Sequence, residues 1–325
     1  MFYMSTRGSS ASIWVAKVLS KHPKVVCFRA TRTFPPVAPH TMGHDLGILP
    51  LPVNKFIDGL IACEEATLGE KIFGSTHGYH GVAAKEHCEK RGGRFSYVVR
   101  HPITRVHSVF IANLHNRYYQ KNKPDVTNAN IHDHVCSVLL KDSNLIDYTT
   151  ALKLDGKVKS TLKNILPPDL KQHLSNLRGL AIRNLVVKPR YKKELRALET
   201  GNIDEKAYVG QMFVDMVQSF FYYDNQIYNE CSVDSGIKME EMVKSKDYFK
   251  HHLWPHIAPE VSISDSYLDS VFTLPRVNIH RDIPLDPEKI WKDWPKGMKT
   301  VFQDYFERYN MASVCRRFDY DISFI

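Results

Sequence analysis

The sequence predicts an α/β fold of three layers, in which helices cover both faces of a central parallel sheet of about four to five strands. In the first hundred residues, short runs of β-branched and aromatic residues alternate with segments of helical periodicity, which is typical of parallel strands joined by crossover helices. The 325-residue chain is 43% apolar, enough to bury a sizeable core. We therefore expect a single domain over residues 1–325.

Each predicted strand is a short apolar run, and each predicted helix carries apolar residues at helical spacing. The strands are Phe2–Thr6, Val25–Phe28, Lys71–Ser75, Phe95–Arg100 and Gly236–Met239. The helices are Ser10–Lys21, Val53–Leu68, Val82–Lys90, Pro102 to about Tyr119, Glu205–Asn229, Glu240–Leu253 and about Met298–Asn310. Pro102 is well placed at a first helical position, where its missing N–H costs nothing.

Residues 120–200 interrupt this pattern and predict a basic, mostly helical insertion on the substrate side of the domain. Between Ala151 and Thr200 there are twelve Lys or Arg against four Asp or Glu, most of the chain's net charge of +9. A local excess of this kind indicates an anionic partner, and a solvated basic surface is the alternative.

The composition excludes several classes of protein. No apolar run approaches the roughly 20 residues that a membrane helix needs, and the first residues lack the pattern of a signal peptide. The six cysteines form no C-x-x-C pair, which argues against a zinc site and suits a reducing compartment. An interleaved aromatic and basic pattern typical of nucleic-acid binding is absent. We expect a cytoplasmic protein with no membrane or nucleic-acid partner and no metal.

The first candidate site is the loop Arg7-Gly8-Ser9-Ser10, between the first strand and the first helix. Small residues there let backbone N–H groups and the helix N-terminus meet a phosphate or sulfate, and Arg7 adds a planar, permanent cation. The loop lacks the Lys of a Walker A sequence, which weakens the case for ATP or GTP with magnesium. As a plain helix cap, the loop would need no ligand.

The second candidate site is the segment Tyr97–Ser108. Arg100 ends a strand, at the edge where parallel sheets bind ligands, and Ser108 lies about two turns into the next helix, with Arg105 three residues earlier. A guanidinium and a hydroxyl so placed can converge on one phosphate. A surface Arg and a helix Ser without a joint role are the alternative.

The order Val98-Val99-Arg100-x-Pro102-x-x-Arg105-x-x-Ser108 resembles the 3′-phosphate motif of sulfotransferases that use 3′-phosphoadenosine-5′-phosphosulfate (PAPS), proteins of P-loop NTPase-like fold. The resemblance implies that Arg100 and Ser108 bind the 3′-phosphate, and that Arg7, Gly8, Ser9 and Ser10 hold the 5′-phosphosulfate. Gly236–Met242 and Pro275–Asn278 are similar to later segments of that family. The loop departs from the family's residue order and spacing, so the resemblance does not assign each contact with the phosphosulfate.

Sulfuryl transfer to an alcohol needs a base for the hydroxyl proton and cations for the departing oxygen. His77 follows the third strand and resembles the His of the Lys-Thr-His segment of cytosolic-type sulfotransferases, which implies that it is the general base; Ser75 stands where that segment has Lys. A structural role for His77 is the alternative, with His80 as the reserve base. Glu64 and Glu65 would matter in a carboxylate-base branch, but they are expected to be solvated in mid-helix.

The sequence thus predicts an enzyme that moves a sulfuryl group from PAPS to a hydroxyl of a carbohydrate or small-molecule alcohol by in-line displacement, releasing adenosine 3′,5′-bisphosphate. Arg7 and His77 are the expected catalytic residues. The basic insertion favours an anionic acceptor such as an acidic oligosaccharide, whereas the aromatic run Phe220–Tyr223 is either an apolar pocket or core. Trp14 either stacks on the adenine of PAPS or has a packing role in the protein. The alternatives are a P-loop-type small-molecule kinase and a non-catalytic protein that binds a nucleotide or polyanion.

Overall fold

A computed structural model describes residues 1–6, 11–29, 53–76, 81–140, 204–274 and 286–325. The chain divides into two compact units. The sheet unit comprises Met1–Val109, Ser219–Lys292 and Phe306–Ile325, and the helical unit comprises Phe110–Gln218 and Asp293–Tyr305. A single domain over residues 1–325 stays a prediction.

The sheet unit is built on five parallel strands in the order β2-β3-β1-β4-β5. The strands are β1 (Phe2–Ser5), β2 (Val25–Arg29), β3 (Ile72–Thr76), β4 (Arg94–Val99) and β5 (Gly236–Lys238). The α/β class and the parallel sheet are confirmed, and every strand lies within one residue of its predicted bounds at each end. Short apolar runs flanked by polar residues mark buried strands clearly.

The two faces of the sheet are covered by different helices because successive side chains of β1 point in opposite directions. Phe2 and Met4 belong to the core that includes helix α1 (Ser12–Leu19) and residues 249–274. On the other face, the Tyr3 ring lies 6.2 Å from that of Phe56. Phe56 belongs to helix α2 (Val53–Ala66), which packs on helix α3 (Gly81–Lys90). These contacts form the three layers that the sequence predicts.

Later helices agree less closely with the sequence prediction. Helix α4 begins at Pro102 as expected but ends at Leu114, and a π-helical turn, His115–Tyr119, continues it. The single helix predicted over Glu240–Leu253 is wrong: the chain forms three short pieces. These are Met239–Met242, Lys246–Tyr248 and a π-helical turn at Phe249–Leu253. Ser245 separates the first two, since its backbone is extended and its hydroxyl accepts from the Tyr248 N–H at 3.0 Å.

The remaining long helices complete the two units. They are α5 (Ile131–Leu139), α6 (Glu205–Glu230), α7 (Asp265–Phe272), α8 (Pro287–Asp293), α9 (Lys296–Arg308) and α10 (Met311–Arg317). Of these, α7, α8 and α10 are absent from the sequence prediction. Their apolar patterns are short, although Ser264 and Pro287 are ordinary helix-start residues.

The helical unit contains the described part of the predicted insertion. Residues 120–122 and α5 are helical, as the prediction requires, and residues 141–203 lie outside the described residues. Glu205, at the start of α6, forms an ion pair with Lys123 and accepts from His134 Nε2 at 2.7 Å. The Phe213 ring lies 5.1 Å from the Phe110 ring, inside the same unit.

Among the helices that the structure describes, none combines the length and apolarity that crossing a membrane requires. All six cysteines fall within the described ranges, and none of them is in a disulfide.

Candidate functional site

The predicted site residues fall into two groups. Arg7, Gly8, Ser9, Ser10, His77 and His80 lie outside the described residues, as does the whole segment 275–278. Arg100, Arg105, Ser108, Trp14 and Glu64 are described. The assignment of the phosphosulfate loop and of the general base therefore stays a prediction. The structure does describe the contacts of Arg100 and the residues around it.

The carboxyl ends of β3, β1 and β4 meet at one edge of the sheet because these neighbouring strands are parallel. Met4 pairs with Thr76, and Ser5 pairs with Tyr97. Helix α1 leaves β1 on one face of the sheet, and α3, which packs on α2, leaves β3 on the other. Adjacent parallel strands whose connections leave on opposite faces form the crevice where open α/β sheets bind ligands. Arg7–Ser10 and His77 follow these strand ends in the sequence.

Hydroxyl groups occupy the described ends of β1 and β3. Thr6 is 1% exposed, and its hydroxyl has no hydrogen-bond partner among the described residues. The Thr76 hydroxyl donates to the Ser12 carbonyl at 3.1 Å, which ties the end of β3 to the start of α1. Ser75 is completely buried, and its hydroxyl likewise lacks a described partner. The position where the resembling family has Lys thus offers no cation here.

Arg100 follows β4 directly and is only 6% exposed. Its Nε donates to the Thr104 hydroxyl at 3.1 Å, and that hydroxyl donates to the His101 carbonyl at 3.0 Å. Burial lowers the pKa of Arg100 to about 10, although the nearby Glu240 carboxylate opposes this shift. Arg100 is therefore a cation at neutral pH, and the first turn of α4 holds it at the sheet edge.

Ser108 lies four residues after Thr104, so both face the same side of α4, one turn apart. Ser108 is 8% exposed. Since Arg100 donates to Thr104, its guanidinium lies against the face of the helix that carries Ser108. Their joint contact with a phosphate stays a prediction, but the helix register is compatible with it.

Arg105 serves the interior of the sheet unit. Its Nη1 donates to Asp224 Oδ2 at 2.6 Å, and its guanidinium lies 4.8 Å from the centre of the Phe220 ring. Burial by itself would lower the pKa of Arg105, but Asp224 and Tyr228 hold that pKa above its ordinary value. The sequence places Arg105 three residues before Ser108 without giving it a separate role, and the structure commits it to a buried ion pair.

His101 caps the start of α4. Its Nδ1 accepts from the Ile103 N–H at 3.3 Å, and its Nε2 lies 3.0 Å from the Asp321 carbonyl. An acceptor at Nδ1 and a carbonyl at Nε2 together require the neutral imidazole with its proton on Nε2. Burial lowers the pKa of His101, which favours the same neutral form.

Two further residues contact this junction, and the sequence prediction assigns no role to either of them. Glu240, just after β5, accepts from the His101 N–H at 3.0 Å through Oε1. The Tyr320 hydroxyl donates to Glu240 Oε2 at 2.9 Å. The resemblance of Gly236–Met242 to a segment of that family is a signal for Glu240. The chain offers no comparable signal for Tyr320.

The contacts of three other features bear on expectations from the sequence. Trp14 is 8% exposed, with its ring edge-on to Phe249 and Phe272 at about 6 Å, so it packs in the core rather than forming an open surface. The expectation that Glu64 and Glu65 are solvated holds for Glu65, which is exposed, whereas Glu64 is partly buried and its Oε2 accepts from the Phe73 N–H at 3.1 Å, near the start of β3. Phe220 and Phe221 are buried, so this part of the aromatic run is core.

No protein-family model, curated protein or solved structure matches this chain. Within the described ranges, no group of three or more His, Cys, Asp or Glu side chains is arranged to hold a metal ion. The features that bear on function are the geometry of the sheet edge and the sequence motifs that follow its strands.

Proposed function

We propose that this protein is a PAPS-dependent sulfotransferase that transfers a sulfuryl group to a hydroxyl of a carbohydrate or small-molecule alcohol. One observation carries the proposal: Arg100 lies buried at the carboxyl edge of a parallel sheet, fixed by Thr104 on the helix face that also carries Ser108. This arrangement supplies a fixed cation and hydroxyl for a phosphate group.

The donor-binding roles follow the strand ends. Arg100 and Ser108 would hold the 3′-phosphate of PAPS, and the loop Arg7–Ser10 would hold its 5′-phosphosulfate. PAPS supplies the activated sulfuryl group, and adenosine 3′,5′-bisphosphate is the product that leaves. The buried Thr6 hydroxyl, without a described partner, adds a donor at the end of β1.

The acceptor side of the reaction needs a base. His77 follows β3 in the sequence and would accept the proton of the acceptor hydroxyl, while Arg7 would stabilise charge on the departing phosphate oxygen. The proposed mechanism requires no metal. A cytoplasmic location and an anionic acceptor belong to the same proposal.

Two other functions fit an anion site at a sheet edge. A P-loop-type small-molecule kinase would need a lysine in the phosphate loop, which Arg7–Ser10 lacks. A non-catalytic protein that binds a nucleotide or polyanion would use the same cations without turnover.

Ligand-dependent thermal unfolding separates the three functions because a ligand that binds the folded state raises the melting temperature. The sulfotransferase proposal predicts stabilisation by adenosine 3′,5′-bisphosphate without magnesium. Stabilisation by ATP with Mg²⁺ but not by the bisphosphate would indicate the kinase. Stabilisation by heparin alone would indicate a polyanion-binding protein. Labelled PAPS with a panel of acceptors then tests turnover.

Two variants test the assigned roles. We expect Arg100→Ala to lose bisphosphate binding, and we expect His77→Ala to keep that binding while abolishing turnover. Arg316→Ala and His251→Ala are matched controls, since both residues are exposed on the surface of the sheet unit. Full turnover in His77→Ala would place the base elsewhere.

A further inference from the structure

The segment Asp319–Phe324 lies against the junction between β4 and α4. The Asp321 carbonyl accepts from His101, and the Phe324 ring stacks on the His101 ring with a centroid distance of 6.1 Å. The Tyr320 ring meets the same imidazole edge-on at 5.3 Å. Residues distant in sequence therefore fix the backbone immediately after Arg100.

Glu240 is the charged centre of these contacts. Its two carboxylate oxygens accept from separate neutral donors, the His101 N–H and the Tyr320 hydroxyl. The first bond places the carboxylate beside the residue that follows Arg100, and its charge acts on the Arg100 guanidinium. Burial keeps Tyr320 protonated by raising its pKa, so its hydroxyl remains a donor.

A carboxylate this close to Arg100 is a competitor for any anion that binds there. Guanidinium groups pair with carboxylates and with phosphates through the same charge-assisted hydrogen bonds. A carboxylate that keeps both of its present donors stays in place. Without the Tyr320 hydroxyl, Oε2 loses its described donor and the side chain is free to turn towards Arg100.

We infer that Tyr320 is a positioning residue for anion binding at Arg100: its hydroxyl holds Glu240 on the His101 amide and so prevents that carboxylate from competing for the guanidinium. The inference deepens the proposed function and rests on it where the anion is taken to be the 3′-phosphate of the donor nucleotide. Tyr320 would act through Glu240, without touching the ligand.

The test is a double-mutant cycle on the affinity for adenosine 3′,5′-bisphosphate, measured by titration calorimetry. Tyr320→Phe removes only the hydroxyl and keeps the ring against His101, and we expect it to raise the Kd about tenfold, the typical effect of a hydrogen bond to a charged group. Glu240→Gln keeps an acceptor for the His101 N–H but removes the competing charge, and we expect no rise. The double variant should then bind like Glu240→Gln alone.

Tyr267→Phe is the matched control, since it loses a hydroxyl that donates to the Val18 carbonyl at 2.9 Å, within the same unit. It should bind the bisphosphate like the unmodified protein. Equal Kd values for Tyr320→Phe and this control would overturn the inference. The inference would also be overturned if Tyr320→Phe and Glu240→Gln each raised the Kd and the double variant raised it by the product of the two factors. A merely structural role for Tyr320 predicts such independent losses of affinity.

Hydrogen exchange of the His101 amide separates this inference from the proposed function, since it needs no ligand. If Tyr320 restrains Glu240, Tyr320→Phe should speed exchange of that amide about tenfold, and unchanged exchange would overturn the restraint. If the unmodified protein fails to bind the bisphosphate, the proposed function fails, while the exchange result still decides whether Tyr320 holds Glu240.

Discussion

Replacement of Arg105 by methionine tests whether this residue serves the fold or the ligand. Arg105 and Asp224 form an ion pair whose side chains are 2% and 5% exposed, with 2.6 Å between Nη1 and Oδ2. Methionine keeps an unbranched apolar stem but lacks the guanidinium, and so leaves the Asp224 carboxylate without its buried cation. The variant should be strongly destabilised.

The expected loss follows from this burial. Removing one partner of a buried ion pair costs about 3–5 kcal/mol, because the remaining charge stays out of water uncompensated. For a unit of this size, such a loss lowers the melting temperature by roughly 6–20 °C. Replacing both partners, as in Arg105→Met with Asp224→Leu, should restore stability to within about 1 kcal/mol, because well-packed apolar residues can substitute for a buried pair.

Urea unfolding followed by circular dichroism and by tryptophan fluorescence measures these free energies. A single variant within about 1 kcal/mol of the unmodified protein would refute the reasoning, since that cost is far below the value for a broken buried pair. The same holds if the double variant loses the sum of both single losses. Either result would mean that the interaction between Arg105 and Asp224 contributes little to the stability of the fold.

Three further predictions concern the sheet unit. Because burial lowers the pKa of His101 below 6.5, the unfolded chain binds the proton first as pH falls. The free energy of unfolding should therefore decrease below about pH 6.5 and level off beneath the lowered pKa. Urea unfolding midpoints measured from pH 8 to pH 5 should fall less steeply in His101→Gln than in the unmodified protein. Equal slopes in the two proteins would contradict the assignment. Gly74→Ala should cost about 1–3 kcal/mol in thermal unfolding, because the new Cβ would overlap the Phe2 ring, and adding Phe2→Leu should recover part of the loss. Trp14→Ala should cost about 3–5 kcal/mol as a core truncation, and an unchanged melting temperature with weakened bisphosphate binding would favour adenine stacking instead.

Local patterns predicted the sheet well and the later helices poorly. Each strand of the parallel sheet is an apolar run with clear ends, so β4 could be read from Phe95-Ser96-Tyr97-Val98-Val99 alone. The helix predicted over residues 240–253 failed because its apolar spacing continues through Ser245, whose extended backbone interrupts the helix. Helix α7 carries a readable start at Ser264 but only two buried residues, too few to form a clear helical period.

The site residues, too, could be predicted only where the sequence carries a local signal. Arg100 could be found because a strand end followed by Pro102 is a local signal. The partners of the Arg100 junction are distant in sequence, and pairings such as Arg105 with Asp224 or His101 with Asp321 depend on tertiary packing. A single sequence contains no local pattern for them. The decision between a ligand-binding and a structural arginine therefore required coordinates.

The strand order has a consequence for how the chain folds during synthesis. Strand β1 lies at the centre of the sheet, yet both of its neighbours, β3 and β4, come much later in the chain. On the ribosome, β1 has no native partner until Thr76 has emerged, and its second edge stays open until Val99 has followed. An apolar strand with two unpaired edges is a target for chaperones and for aggregation. Ribosome-bound chains that end before β3 should therefore be the most protease-sensitive and chaperone-dependent species of this protein.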